Sequence, residues 1–159
     1  MSDNHGGGEW ELPLSSSPYA PINFHSVMYE CADGFRDLLF CMKRFALYVW
    51  QLPQNLLGWS VKTVLRLKNE GDGIYHWKAW SGLSLGDYIF VNARASDLMI
   101  RHEAGHRRQS VILGPLYLLV VGPPSFLWAS LKTAGLFKDR DYYSFYTEKW
   151  ADRLAGIER

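Results

Sequence analysis

Residues 101–120 read RHEAGHRRQSVILGPLYLLV: two histidines four apart with a glutamate between them, then an apolar run without a charge. With "ARASDLMI" before it, the polar part reads as a helix, Ser96 serving as N-cap and Asp97 well placed in the first turn. His102-Glu103-Ala104-Gly105-His106 has the form H-E-x-x-H. On a helix, positions i and i+4 differ by about 40° around the axis and about 6 Å along it, so both imidazoles can close on one metal ion. Glu103 sits about 100° round from His102, beside such an ion rather than aimed at it. From there a carboxylate can hold a water and take its proton, which is why this spacing carries hydrolytic chemistry.

A catalytic zinc normally takes three protein ligands and leaves a fourth position open. His5, His25 and His76 are available as the third, but none comes with a supporting partner. In "TEKWAD", residues 147–152, Glu148 and Asp152 lie at i and i+4 and share one face of a last helix. Glu148 can complete a His2Glu site, and Asp152 can accept the free ring N–H of a liganding histidine and fix its tautomer. The plainer alternative is a pair of surface acids tied to Lys149 and Arg153. Gln109, on the same face as His102 and His106, either supports a ligand from behind or caps the helix. Tyr142, Tyr143 and Tyr146 shortly precede Glu148. A hydroxyl from among them, or His76, can hydrogen-bond a developing oxyanion; otherwise these are packing residues.

The rest of the chain sets the frame. Its 159 residues suffice for one domain with a sizeable core. Seventeen Lys and Arg against sixteen Asp and Glu leave no nucleic-acid footprint. Residues 1–20 are Gly-, Ser- and Pro-rich and read as a loose arm, leaving 21–159 as a single domain. From Gly34 onward, Phe35, Leu38, Leu39, Met42, Phe45 and Val49 recur at helical spacing. Pro53 breaks or restarts that helix, and "QNLLGWSVKTVLRLK" continues to a turn at "NEGDG". "IYHWKAW" and "LGDYIFVN", joined by "SGLS", read as a β-hairpin. The last helix begins near Tyr143. The expected class is therefore α+β, mainly helical, with a hairpin before the H-E-x-x-H helix. Cys31 and Cys41 are expected to be buried free thiols. No basic segment followed by an apolar run opens the chain, so no signal peptide is read and the expected location is the cytoplasm or the cytoplasmic face of a membrane.

The uncharged run, Val111 to Leu131, is long enough for a membrane span. Gly114-Pro115 and Gly122-Pro123-Pro124 argue against a straight one. Two readings follow. Either 111–131 is a bent connection inside a soluble core, or it dips into the bilayer as a re-entrant hairpin. In the second, Leu116, Leu119, Val120, Phe126 and Trp128 form an exposed patch, and Arg107, Arg108, Lys132 and Lys138 lie at the headgroups.

H-E-x-x-H followed by E-x-x-x-D on a later helix resembles the gluzincin metallopeptidases. The "TEKWAD" form is similar to their membrane-embedded branch, the CAAX prenyl proteases and related heat-shock membrane proteases. More narrowly, residues 82–155 resemble small uncharacterised bacterial proteins with H-E-x-G-H-x-x-Q-S, G-x-x-Y and T-E-x-x-A-D. The resemblance implies a zincin-like fold and zinc-dependent cleavage of a peptide or protein substrate. It implies His102, His106 and Glu148 as zinc ligands, Glu103 as general base and Asp152 as the orienter of His102, with "LGDYIFVN" the edge strand that substrate backbone pairs with. The connection from His106 to Glu148 is too short for two full spans, so the multi-span layout of the membrane branch is not reproduced. A second class of function is a zinc-binding or membrane-associated interaction module without catalysis. Glu103 distinguishes them, because a purely structural metal site gains nothing from it.

Overall fold

The computed structural model describes residues 35–79 and 81–159; the expected arm over 1–20, with His5, His25 and Cys31, lies outside them. Helix α1 (Phe35–Trp50) ends at Gln51, and α2 (Leu52–Val64) restarts with Pro53 in its first turn, where a missing N–H costs no hydrogen bond. The polarity of α2 is inverted. Gln54, Asn55 and Gly58 are buried, while Leu52, Leu56, Leu57 and Trp59 are exposed. The buried amides are used: Gln54 Nε2 donates to the Gly114 carbonyl, and Asn55 Oδ1 accepts the Asp87 N–H at 2.9 Å. Cys41 is disulfide-bonded, which corrects the expected free thiol.

Four strands follow: β1 (Asn69–Gly71), β2 (Ile74–Trp77), β3 (Leu83–Leu85) and β4 (Tyr88–Asn92), in the order β1-β2-β4-β3. The expected hairpin of "IYHWKAW" with "LGDYIFVN" does not form. β2 and β4 are parallel neighbours, with Ile74 opposite Ile89 and Trp77 opposite Asn92. Both real hairpins lie outside that pairing, β1 with β2 and β3 with β4. Turn chemistry explains this. Asp72 and Gly73 both have positive φ, 49° and 74°, as a tight two-residue hairpin turn demands, so "NEGDG" starts a strand pair instead of only stopping a helix. Consequently β4 is an interior strand with Ile89, Phe90 and Val91 buried, and β3 is the edge on its side.

Helix α3 (Asp97–Leu113) starts where expected, the Ser96 hydroxyl accepting the Met99 N–H at 3.3 Å. A 3-10 turn (Gly114–Leu116) and the short α4 (Tyr117–Val120) carry the chain to α5 (Gly122–Thr133). No single helix among the described residues is long and apolar enough to cross a membrane; 97–120 and 122–133 pass together but are bent by 61°. After a second 3-10 turn (Tyr142–Ser144), α6 (Tyr146–Ala155) starts slightly later than expected. Its contact with α3 is the most extensive between any two elements described. Gly105 makes this possible, since a Cβ there would overlap the Ala151 carbonyl oxygen.

Neither reading of 111–131 fits in every residue. Leu116, Leu119, Val120 and Phe126 are exposed, not packed inside. Trp128, expected in the same exposed patch, is buried: its Nε1 donates to the Tyr142 carbonyl at 2.9 Å and its ring stacks on Phe145. Arg107 does not lie at a surface either. It is buried, and its guanidinium donates to the Asp72 and Asp87 carbonyls at 3.1 and 2.6 Å, tying both hairpin turns to α3. Arg108 donates to the Leu154 carbonyl of α6, and Lys132 to the Phe137 carbonyl at 3.1 Å.

Candidate metal centre

Burial on α3 is as inverted as on α2. Its inward face consists of His102, Glu103, Gly105, His106, Arg107, Gln109 and Ser110. Polar groups in such a place need partners, and for the histidines α6 and α3 itself provide them. Asp152 Oδ1 lies 2.7 Å from His102 Nδ1, and Gln109 Oε1 lies 2.8 Å from His106 Nδ1. The Gln109 amide is itself fixed, because its Nε2 donates to the Thr147 carbonyl at 2.8 Å. With both Nδ1 atoms taken, the two Nε2 atoms face one point. Glu148 Oε2 meets them there, 3.1 Å from His102 Nε2 and 3.4 Å from His106 Nε2. One donor atom from each of these three buried residues lies within 4.8 Å of the others, close enough to hold a metal ion.

The electrostatics follow from that convergence. Burial raises the Glu148 carboxyl, but hydrogen bonds from His102, His106 and Ser125 outweigh it and hold the group well below the usual carboxylate range. Burial likewise opposes a proton on His106, yet the Glu148 hydrogen bond, the charges of Glu103 and Glu148, and Gln109 raise its pKa to about 9. Glu103 behaves differently. Burial pushes its carboxyl up, and His106, His102 and a Ser84 hydrogen bond bring it only part of the way back. Ser84 Oγ stands 2.8 Å from both the Glu103 carboxylate and the Glu103 carbonyl. Gly82, just before β3, presses so closely on Glu103 that a Cβ would overlap its Oε1.

The structure thus brings His102, Glu103, His106, Gln109, Glu148 and Asp152 together. It leaves two other candidates elsewhere. His76 on β2 faces Glu70, with Nδ1 3.9 Å from Oε1, and β4 separates β2 from β3, the strand whose Ser84 meets Glu103. The Tyr146 hydroxyl donates to the Val120 carbonyl at 2.8 Å and the residue is exposed, so it is not an oxyanion donor. Tyr143 packs its ring edge-on against His102, centroids 5.3 Å apart. The Tyr142 hydroxyl hydrogen-bonds Glu148 and senses both carboxylates. Burial, then the charges of Glu148 and Glu103, push its pKa well above the ordinary value.

Sequence reasoning missed four contributors. Ser84 is the polar residue between two leucines on β3, an alternation that marks an inward-facing position. The buried Tyr117 donates to the Ser84 carbonyl at 3.0 Å; it is the only polar side chain between Val111 and Val121, which was its signal. Thr147 links the centre to α5: its hydroxyl accepts from Ser125 Oγ at 2.7 Å and donates to Glu148 Oε1 at 3.1 Å. Arg159 Nε lies 3.2 Å from Asp152 Oδ2, with its guanidinium over the Tyr143 ring, and nothing in its sequence context announces that.

No family model, no curated protein and no solved structure matches this chain.

Proposed function

We propose that the protein is a zinc-dependent peptidase of zincin-like fold. The observation that carries this reading is Glu103, buried beside a three-donor cluster to which it does not belong. A site that only stored a metal would gain nothing from such a carboxyl. The donor set itself, two imidazole nitrogens and one carboxylate oxygen, suits zinc with a position left for chemistry. Bound there, zinc supplies Lewis acidity toward a peptide carbonyl and toward water.

The remaining work falls to the chain's own residues. Asp152 and Gln109 hold the histidines by Nδ1 and keep each Nε2 turned inward. Glu103, its carboxyl pushed above the ordinary carboxylate range by burial, takes a proton from the attacking water and hands it to the leaving amine. Ser84 fixes the orientation of that carboxyl. Tyr142, whose hydroxyl hydrogen-bonds Glu148 and is held protonated by burial, is the donor we assign to the developing oxyanion. β3, the sheet edge beside Glu103, replaces "LGDYIFVN" as the strand along which a substrate backbone lies.

Glu103→Gln tests the reading, with a library of quenched fluorescent peptides as the probe. The variant is expected to fold and to keep its metal while cleavage falls by about 10²–10⁴-fold, the range for losing a general base. Equal rates for variant and parent would remove Glu103 from the mechanism.

A further inference from the structure

One side of this molecule is built inside out. On α2 the amides are buried and the leucines and Trp59 exposed, and on α4 and α5 Leu119 and Phe126 are 71% and 76% exposed. Soluble monomers rarely leave apolar surface of this extent open. The faces of α1, α2, α4 and α5 are continuous. Trp50 Nε1 donates to the Val111 carbonyl at 3.1 Å, and an apolar groove of about 380 Å³ runs between Phe45, Val49 and Trp50 of α1 and Pro115.

Charge is sorted in the same way. Residues 38–68 and 111–138, which supply most of these faces, contain seven bases (Lys43, Arg44, Lys62, Arg66, Lys68, Lys132 and Lys138) and no acid; the first turn of α1, just before them, adds Arg36 and one acid, Asp37. The chain has 17 bases and 16 acids in total, so the remainder holds 10 bases and 16 acids. An apolar face edged mainly by positive charge complements an anionic lipid surface. It is poorly suited to a second copy of itself, since a symmetric contact would set these bases against their own kind.

We propose that the face formed by α1, α2, α4 and α5 docks on an anionic lipid bilayer, its apolar side chains in the headgroup–acyl boundary and its bases among the phosphates. Ile112, next to Val111 near the end of α3, is exposed as well. It follows His106 by six residues, or about 9 Å of helix rise.

Vesicle flotation of the full chain tests this without any assay of hydrolysis, so it stands or falls apart from the peptidase reading. Phosphatidylcholine vesicles containing phosphatidylglycerol should carry the protein upward, with binding about tenfold or more weaker to phosphatidylcholine alone or at high salt. Leu119→Asp with Phe126→Asp, both at exposed positions, should cut binding by at least about tenfold while unfolding temperature and metal content stay unchanged. Lys68→Glu with Lys138→Glu should weaken binding to anionic vesicles alone. A monodisperse monomer or dimer that stays in the aqueous fraction with both vesicle types would overturn the proposal, as would binding indifferent to lipid charge and to all four substitutions.

Discussion

Burial alone would strip the proton from His106, but the Glu148 carboxylate 3.4 Å away and the other groups around it raise the imidazole to about 9 from an ordinary 6.5. In the metal-free protein that proton is therefore part of the fold. A raised histidine contributes stability that is fully present below about pH 6.5 and is lost as pH rises through about 9. Glu148, held below its ordinary value, contributes above about pH 4.5 and loses its contribution as pH falls. The charged pair in the metal-free protein is therefore strongest between about pH 4.5 and 6.5, and thermal unfolding should show stability declining from there toward pH 9. A metal needs the deprotonated ring. Between pH 7 and 9, apparent zinc affinity should rise by about tenfold per unit, with close to one proton released per ion bound near pH 7. Isothermal titration in buffers of different ionisation enthalpy reads that proton directly; a pH-independent affinity with no proton released would show that His106 is not a ligand.

At the scale of elements, the centre exists because α3 and α6 approach closely enough for Asp152 to reach His102 and Glu148 to reach both rings. Gly105 sets that approach against Ala151. Gly105→Ala should separate the helices, costing about 1–3 kcal/mol as overpacking commonly does and weakening metal binding in parallel. An alanine variant with unchanged unfolding temperature and metal content would mean that the helices have room to spare. The helices and their facing residues were legible in the sequence because i, i+4 spacing fixes which side chains share a face. The strands were not. β2 and β4 have the composition of a hairpin, but strand partners are chosen by turns, and the decisive turns at Asp72-Gly73 and Gly86-Asp87 lay before each strand. The error carried over to the site, moving the sheet edge from "LGDYIFVN" to β3 and removing His76. Arg107 was misread for a related reason: next to an apolar run it resembles a headgroup anchor, but its partners are backbone carbonyls in two turns, which leave no trace in composition.

At the scale of the whole molecule, the interior is unusually polar. His102, Glu103, His106, Gln109, Glu148 and Asp152 occupy space that leucines fill in most domains, while many apolar residues of α1, α2, α4 and α5, though not Tyr117 or Trp128, face outward. The cohesion of α3 with α6 then depends on whatever joins their polar faces. A bound ion would stabilise the fold by about 4 kcal/mol when present at a thousand times its dissociation constant. Metal content by elemental mass spectrometry, on protein purified without added metal and again after zinc loading and dialysis, tests the central claim most directly. The prediction is about one zinc per chain in the parent and in Glu103→Gln, and none retained in His106→Ala. Folded parent protein that holds no zinc after loading, or His106→Ala that holds as much as the parent, would contradict it.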